Sequence, residues 1–210
     1  ISVEEKPTGE ISAGAGIGTN GGSFAFNVSE NNWLGKGMRV STNLEVDANS
    51  LKGELNVLHP NYNYSDNDLN YYISSASNDK DTSGFKNTTL SSGIGTTFEQ
   101  YKNVYLSPNL SVTHDDLKVS NEASASLKKQ EGTFTDLSFD YGIQLDVRDR
   151  SFMPTEGYIT SFNQTIPFYA DTPFLRNAFS YRAYNSFTPN VIGAFKFYTA
   201  AINGLNDEDV

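Results

Sequence analysis

Large apolar and polar side chains alternate along most of this chain with a period of two. Ile11, Ala13, Ala15 and Ile17 take turns with Ser12, Gly14, Gly16 and Gly18; after TNGG at 19–22, Phe24, Phe26 and Val28 take turns with Ser23, Ala25, Asn27 and Ser29. A strand sends successive side chains to opposite faces, so this spacing predicts β-strands rather than helices, whose period is 3.6. Met38, Val40, Thr42, Leu44 and Val46 mark a third strand, and Leu51, Leu55 and Val57 a fourth. A fifth is expected at about 68–79, a sixth at about 88–99 and a seventh through Leu106, Leu110 and Val112. The clearest is the eighth, where Leu137, Phe139, Tyr141, Ile143, Leu145 and Val147 alternate with polar neighbours as far as Arg148. Three more follow at about 157–167, 177–188 and 192–203. No segment carries a helical period.

Eleven antiparallel strands fit two architectures. In a soluble sandwich or barrel the apolar face turns inward; in a membrane barrel it turns to lipid. The longest connections are expected at about 79–88, 115–132 and 168–177, after odd-numbered strands and therefore at one end. Trp33, Tyr62, Tyr64, Tyr101 and Phe152 gather near the turns at the other end, as an interfacial aromatic girdle does. Both observations favour the membrane barrel.

Composition agrees. The 210 residues are only 37% hydrophobic yet 13% aromatic, which suits two-faced strands and not a disordered chain. There is no apolar run long enough for a membrane helix, but a barrel strand needs only about 9–11 alternating residues. A net charge of -10 argues against nucleic acid as a partner. With no cysteine, disulfides, thiolate zinc sites and thiol nucleophiles are excluded.

The densest cluster of charge is DVRDRSFMPTEG at 146–157. Asp146 and Arg148 share a strand face one pleat apart, and Asp149 or Arg150 is placed to cap a turn shaped by Pro154 and Gly157. That reading is structural, with no catalytic or metal role. His59 and His114 fall toward opposite ends of their strands and build no triad. GAGIG at 14–18 sits inside a strand that leads to a hairpin, so it is not a dinucleotide fingerprint, which must open a helix. The acidic stretches NDKD and NDEDV suit either solvation or Ca²⁺ and Mg²⁺ bridged to lipid phosphates, and solvation is the simpler reading. No cofactor, no metal and no enzymatic activity are expected.

Two stretches carry a resemblance. VEEKPTGEISAGAGIGTNGGSFAFNVSENNWLGKG, residues 3–37, is similar to the junction between the last POTRA domain and the first barrel strands of the Omp85/BamA family (bacterial surface antigen D15). The pattern D-x-R-D-x-x-x-x-P-x-x-G, here Asp146, Arg148, Asp149, Pro154 and Gly157, resembles that family's turn between strands eight and nine, where the alternation also puts it. The family's V-R-G-F motif and terminal aromatic strand are not in the chain.

The resemblance implies an all-β, antiparallel, up-and-down transmembrane β-barrel of the sixteen-stranded type, here truncated to about eleven strands. Residues 1–9 would be the tail of the last POTRA domain or a linker, and 10–210 the N-terminal portion of the barrel, ending where the sixth extracellular loop begins. It implies the bacterial outer membrane, and a non-enzymatic insertase that folds and inserts other barrels. Its partners would be outer-membrane lipids, unfolded barrel clients and periplasmic or lipoprotein accessory subunits. Ile11, Ser12, Ala13, Gly14, Ala15, Gly16, Ile17 and Gly18 would form the seam strand where a client strand pairs, unless the glycines only make room for a luminal loop or plug. Asn32, Trp33, Leu34, Gly35 and Gly37 would form the first periplasmic turn, with Trp33 an interfacial anchor or a support for the neighbouring POTRA domain. A TamA-like protein, a two-partner-secretion translocator and a passive outer-membrane porin are the alternatives.

Overall fold

The computed structural model describes residues 7–18, 21–80 and 83–205. Eleven strands follow one another: β1 Gly9–Gly18, β2 Gly21–Trp33, β3 Met38–Asp47, β4 Ser50–His59, β5 Asp68–Lys80, β6 Phe85–Tyr101, β7 Val104–Val119, β8 Gly132–Asp146, β9 Gly157–Tyr169, β10 Phe174–Thr188 and β11 Val191–Gly204. They form one sheet in sequence order, with β1 and β11 at its two ends. Each strand is joined to the next by a direct return, the simplest antiparallel topology.

Contacts group the chain into two units, Ile1–Ile94 with Val112–Thr135, and Gly95–Ser111 with Asp136–Val210. In the first, alternation fixes the register. Ile11 stands opposite Val28, Val28 opposite Thr42, Thr42 opposite Leu55 and Leu55 opposite Ile73. One pleat away, Ser12, Asn27, Asn43, Glu54 and Ser74 line the other face in the same manner. A slip by one residue would exchange the two faces, so the pattern specifies the pairing.

The second unit repeats the arrangement with larger side chains. Ile143 faces Phe162, which faces Phe179, and rings stack along the same face: Phe139 on Phe168 at 6.1 Å, Tyr158 beside Tyr181 at 5.6 Å and Phe179 beside Phe197 at 6.3 Å. Such cross-strand pairs contribute about 0.2–1 kcal/mol each.

Among the described residues no side chain is buried. Ile17 is 96% exposed, Ile11 75% and Phe195 60%, and all project from a single layer. A soluble sandwich would pack such residues between two sheets, and this sheet does not.

The strands run further than their residue types predict. The stretch expected as a long loop at 79–88 is largely strand, with only 81–84 between β5 and β6; β7 continues to Val119, and only 170–173 separate β9 from β10. Of the three connections expected to be longest only the one after β7, at 120–131, is long; at the opposite end 60–67 and 147–156 exceed the other two, so the expected asymmetry is largely lost. Asn, Asp and Lys are poor strand formers alone, yet ladder bonds and side-chain bonds carry the pairing through them. At its other boundary β8 stops at Asp146, so Val147 and Arg148 belong to the connection. The connection after β7 holds one short helix, α1 Ala125–Lys128, whose N-cap Ser124 accepts a bond from the Leu127 amide. Thr19, Asn20 and the acidic NDEDV at 206–210 lie outside the described residues, as do 1–6 of the expected POTRA tail.

Candidate functional site

The charged cluster folds into a cross-braced connection between β8 and β9. Arg148 donates from Nε to Asp146 Oδ1 at 2.8 Å and from Nη2 to Oδ2 at 2.7 Å, and its amide donates to Oδ1 at 3.2 Å. Both side chains are shielded, at 14% and 22% exposure, and the Asp146 carboxylate holds the Arg148 guanidinium firmly in its charged form. Asp149 closes the far side. Its Oδ1 accepts the amides of Thr155 and Glu156 at 2.9 and 3.2 Å, and its Oδ2 accepts the Thr155 hydroxyl at 2.7 Å. These bonds lower the Asp149 pKa from an ordinary 3.8 to about 2. Arg150 donates to the Met153 carbonyl at 2.8 Å, which steadies Met153 at φ 49° directly before Pro154.

Gly157 restarts the ladder. Its φ is 90°, and a Cβ there would collide with the Val147 carbonyl oxygen and stand 2.9 Å from the Arg148 Cα. Only glycine fits. Asp146, Arg148, Asp149 and Arg150 are thus all engaged within the turn itself.

The strand expected to pair with a partner, β1, has all ten residues exposed and pairs with β2 from Gly9↔Glu30 to Gly18↔Gly21. Nothing among the described residues lies within 4 Å of where a Cβ on Gly14 or Gly18 would stand, and Gly16 has only the Ser23 hydroxyl at 3.2 Å. Local crowding therefore does not require these glycines; their effect is to leave β1 bare on its polar face.

Before β1, Thr8 is tied to the far end of β2. Its carbonyl accepts the Asn31 amide at 3.2 Å and Asn31 Nδ2 at 3.0 Å, and its hydroxyl donates to Glu30. Glu30 Oε1 also accepts the Asn32 amide at 2.8 Å, and Arg39 Nε donates to Asn31 Oδ1 at 2.9 Å. The adjoining turn places Leu34, Gly35 and Gly37 at φ 53°, 70° and 68°, and Asn32 Oδ1 accepts the Gly37 amide at 2.7 Å. Trp33 pairs with Met38 across the turn and remains 45% exposed.

One site is not singled out by motif reasoning. Asp140, on the polar face of β8, accepts from Asn109 Nδ2 at 3.1 Å, Ser111 Oγ at 2.9 Å and Thr165 Oγ1 at 2.6 Å, which joins β7, β8 and β9. Beside it opens a hollow of about 350 Å³ lined by Gly142, Asn163, Arg176 and Tyr198. Its sequence signal is an acid on the polar face of the strongest strand, next to a glycine at that face's following position. With three donors engaged, Asp140 acts as a clamp between strands. Among the described residues no group of three or more His, Asp or Glu is arranged to hold a metal ion.

Comparison with known proteins gives the frame for these features. Residues 32–210 match the Omp85 superfamily domain. The fold superposes on the crystal structure of BamA from Haemophilus ducreyi lacking POTRA domains 1–3 with a TM-score of 0.82 at 19% identity. The match takes in 99% of this chain and 43% of that one.

Proposed function

Because the chain belongs to the Omp85 superfamily, we propose that it forms part of an outer-membrane barrel of a BamA-type assembly factor. Its apolar face meets lipid. Its work is to fold and insert other β-barrel proteins without an enzymatic step, and its partners are unfolded barrel clients and periplasmic accessory subunits. The observation that carries this reading is the makeup of β1: a ten-residue strand paired with β2 on one side, whose polar face is bare at Gly14 and Gly18. An edge of that kind presents backbone donors and acceptors without bulky side chains. An incoming strand can pair with it by β-augmentation.

The turn after β2 and the connection after β8 are the scaffold in this proposal. They hold the ends of the strands in place while β1 exchanges partners. These 210 residues hold no cysteine, so single cysteines from Ile11 to Gly18 are the only thiols in this part of the barrel. In the full-length protein, they should form disulfide crosslinks with a cysteine in the last strand of a client during assembly, in an alternating pattern along β1. Absence of crosslinks at all eight positions, with the client still assembled, would overturn the proposal.

A further inference from the structure

The outward, apolar face of the sheet changes character partway along three strands of the first unit. In β5, Tyr71 and Ile73 give way to Ser75, Ser77 and Asp79; in β6, read toward its start, Ile94 and Leu90 give way to Thr88 and Lys86; in β7, Val112 gives way to His114, Asp116 and Lys118. Side-chain contacts show that the polar residues share one face. Ser77 Oγ lies 3.2 Å from Thr88 Oγ1, and Lys86 Nζ 3.5 Å from Asp79. Lys118 Nζ is 3.1 Å from Asp116, which also accepts the Thr133 hydroxyl at 3.3 Å, and His114 Nδ1 lies 2.9 Å from Thr135 Oγ1.

The opposite face changes the other way. Near the middle of β6 and β7 it carries a hydroxyl pair, Ser91 with Thr113, and the bond from Thr89 to Asp115. Beyond these it carries Phe85, Leu117, Val119 and Phe134, all half-buried. The period of two is unbroken while its sign reverses. Ile73, Leu90 and Val112, at 52%, 50% and 42% exposure, are the last outward apolar side chains before the reversal.

A single-layer sheet takes its outer side chains from the solvent it meets: hydrocarbon selects apolar groups, and water selects polar ones with the apolar groups turned inward. The reversal therefore marks where hydrocarbon ends. The next rows of side chains face the headgroup layer. There Lys86 and Lys118 lean on Asp79 and Asp116 but remain 51% and 71% exposed, and an ammonium has three donors, so each can serve a second acceptor. Their long stems suit cations that rise from an apolar belt to its polar margin.

We propose that the outward face of β5–β7 beyond Ile73, Leu90 and Val112 is a lipid-headgroup contact surface, on which Lys86 and Lys118 donate to lipid phosphate. This rests on the membrane reading above and adds to it a boundary and a ligand. The test uses the full-length protein in vesicles of phosphatidylethanolamine and phosphatidylglycerol. Nitroxide labels at Leu90→Cys and Val112→Cys should be accessible to oxygen from the bilayer, and labels at Thr88→Cys and Thr133→Cys to an aqueous quencher. Nitrogen–phosphorus solid-state NMR should show two lysine Nζ signals dephased by lipid phosphorus, one lost in Lys86→Gln and the other in Lys118→Gln. Labels at Leu90 and Val112 buried in lipid, with neither lysine near phosphorus, would overturn this proposal alone. Water-exposed labels at Leu90 and Val112 would overturn it together with the membrane reading.

Discussion

Arg148 holds Asp146 by two nitrogens at once, at 2.8 and 2.7 Å, where both side chains are largely shielded from water. A planar fork on a carboxylate fixes direction as well as distance, which a single ammonium does not. Arg148→Ala leaves Asp146 without its partner and should cost about 1–3 kcal/mol. Arg148→Lys keeps the charge and should recover only part of that. Urea unfolding of the detergent-solubilised full-length protein measures both.

Gly157 and Gly14 should respond oppositely to the same substitution. Gly157→Ala forces a Cβ onto the Val147 carbonyl at a positive φ and should cost about 3 kcal/mol or more. Gly14→Ala meets open space and should change stability by less than about 1 kcal/mol. A loss of client assembly in Gly14→Ala without loss of stability would then place the glycine's role in strand exchange. The paired unfolding curves and an assembly assay read the difference.

Acid should loosen the β8–β9 connection late. With its folded pKa lowered to about 2 from an ordinary 3.8, Asp149 stabilises the folded connection fully above about pH 4, and that contribution disappears as pH falls through about 2. The Thr155 and Glu156 amide resonances, which report the two bonds to Oδ1, should shift with a midpoint near the lower value. In Asp149→Asn this titration should vanish.

The turn after β2 depends on one amide acceptor. Asn32→Ala removes the oxygen that receives the Gly37 amide and should destabilise by about 1 kcal/mol, whereas Asn32→Asp preserves it. Hydrogen exchange at Gly37 should accelerate in the alanine variant only.

Much of this fold is legible as alternation. Ile11 opposite Val28, and Ile143 opposite Phe162, follow directly from which side chains share a face. Strand ends are less legible. Asn78, Lys80 and Asn87 carry loop-like propensities, yet the ladder runs through them because each residue is judged by its neighbours across the sheet. The reversal of faces is hidden for a related reason. Leu117 and Val119 look merely out of phase with Leu110 and Val112 until the contacts of His114 and Asp116 show which side is which. At the turn, the roles of Asp149 and Gly157 follow from residue type, but the two-pronged grip of Arg148 emerges only in the folded connection. Asp140 stays hidden because its three donors come from residues 25 to 31 positions away.

The tie between Thr8 and the end of β2 also has a mechanical meaning. A pull on the segment before Pro7 does not arrive at Gly9 alone. It is divided between the first rung of β1 and the Glu30–Asn31 end of its neighbour, so the hairpin bears the load as a pair. Peeling β1 away one rung at a time from that side first requires Thr8 to let go. The opposite end is closed at Gly18↔Gly21, where Ser23 Oγ donates to the Gly16 carbonyl at 3.5 Å, a looser tie than the three bonds that hold Thr8.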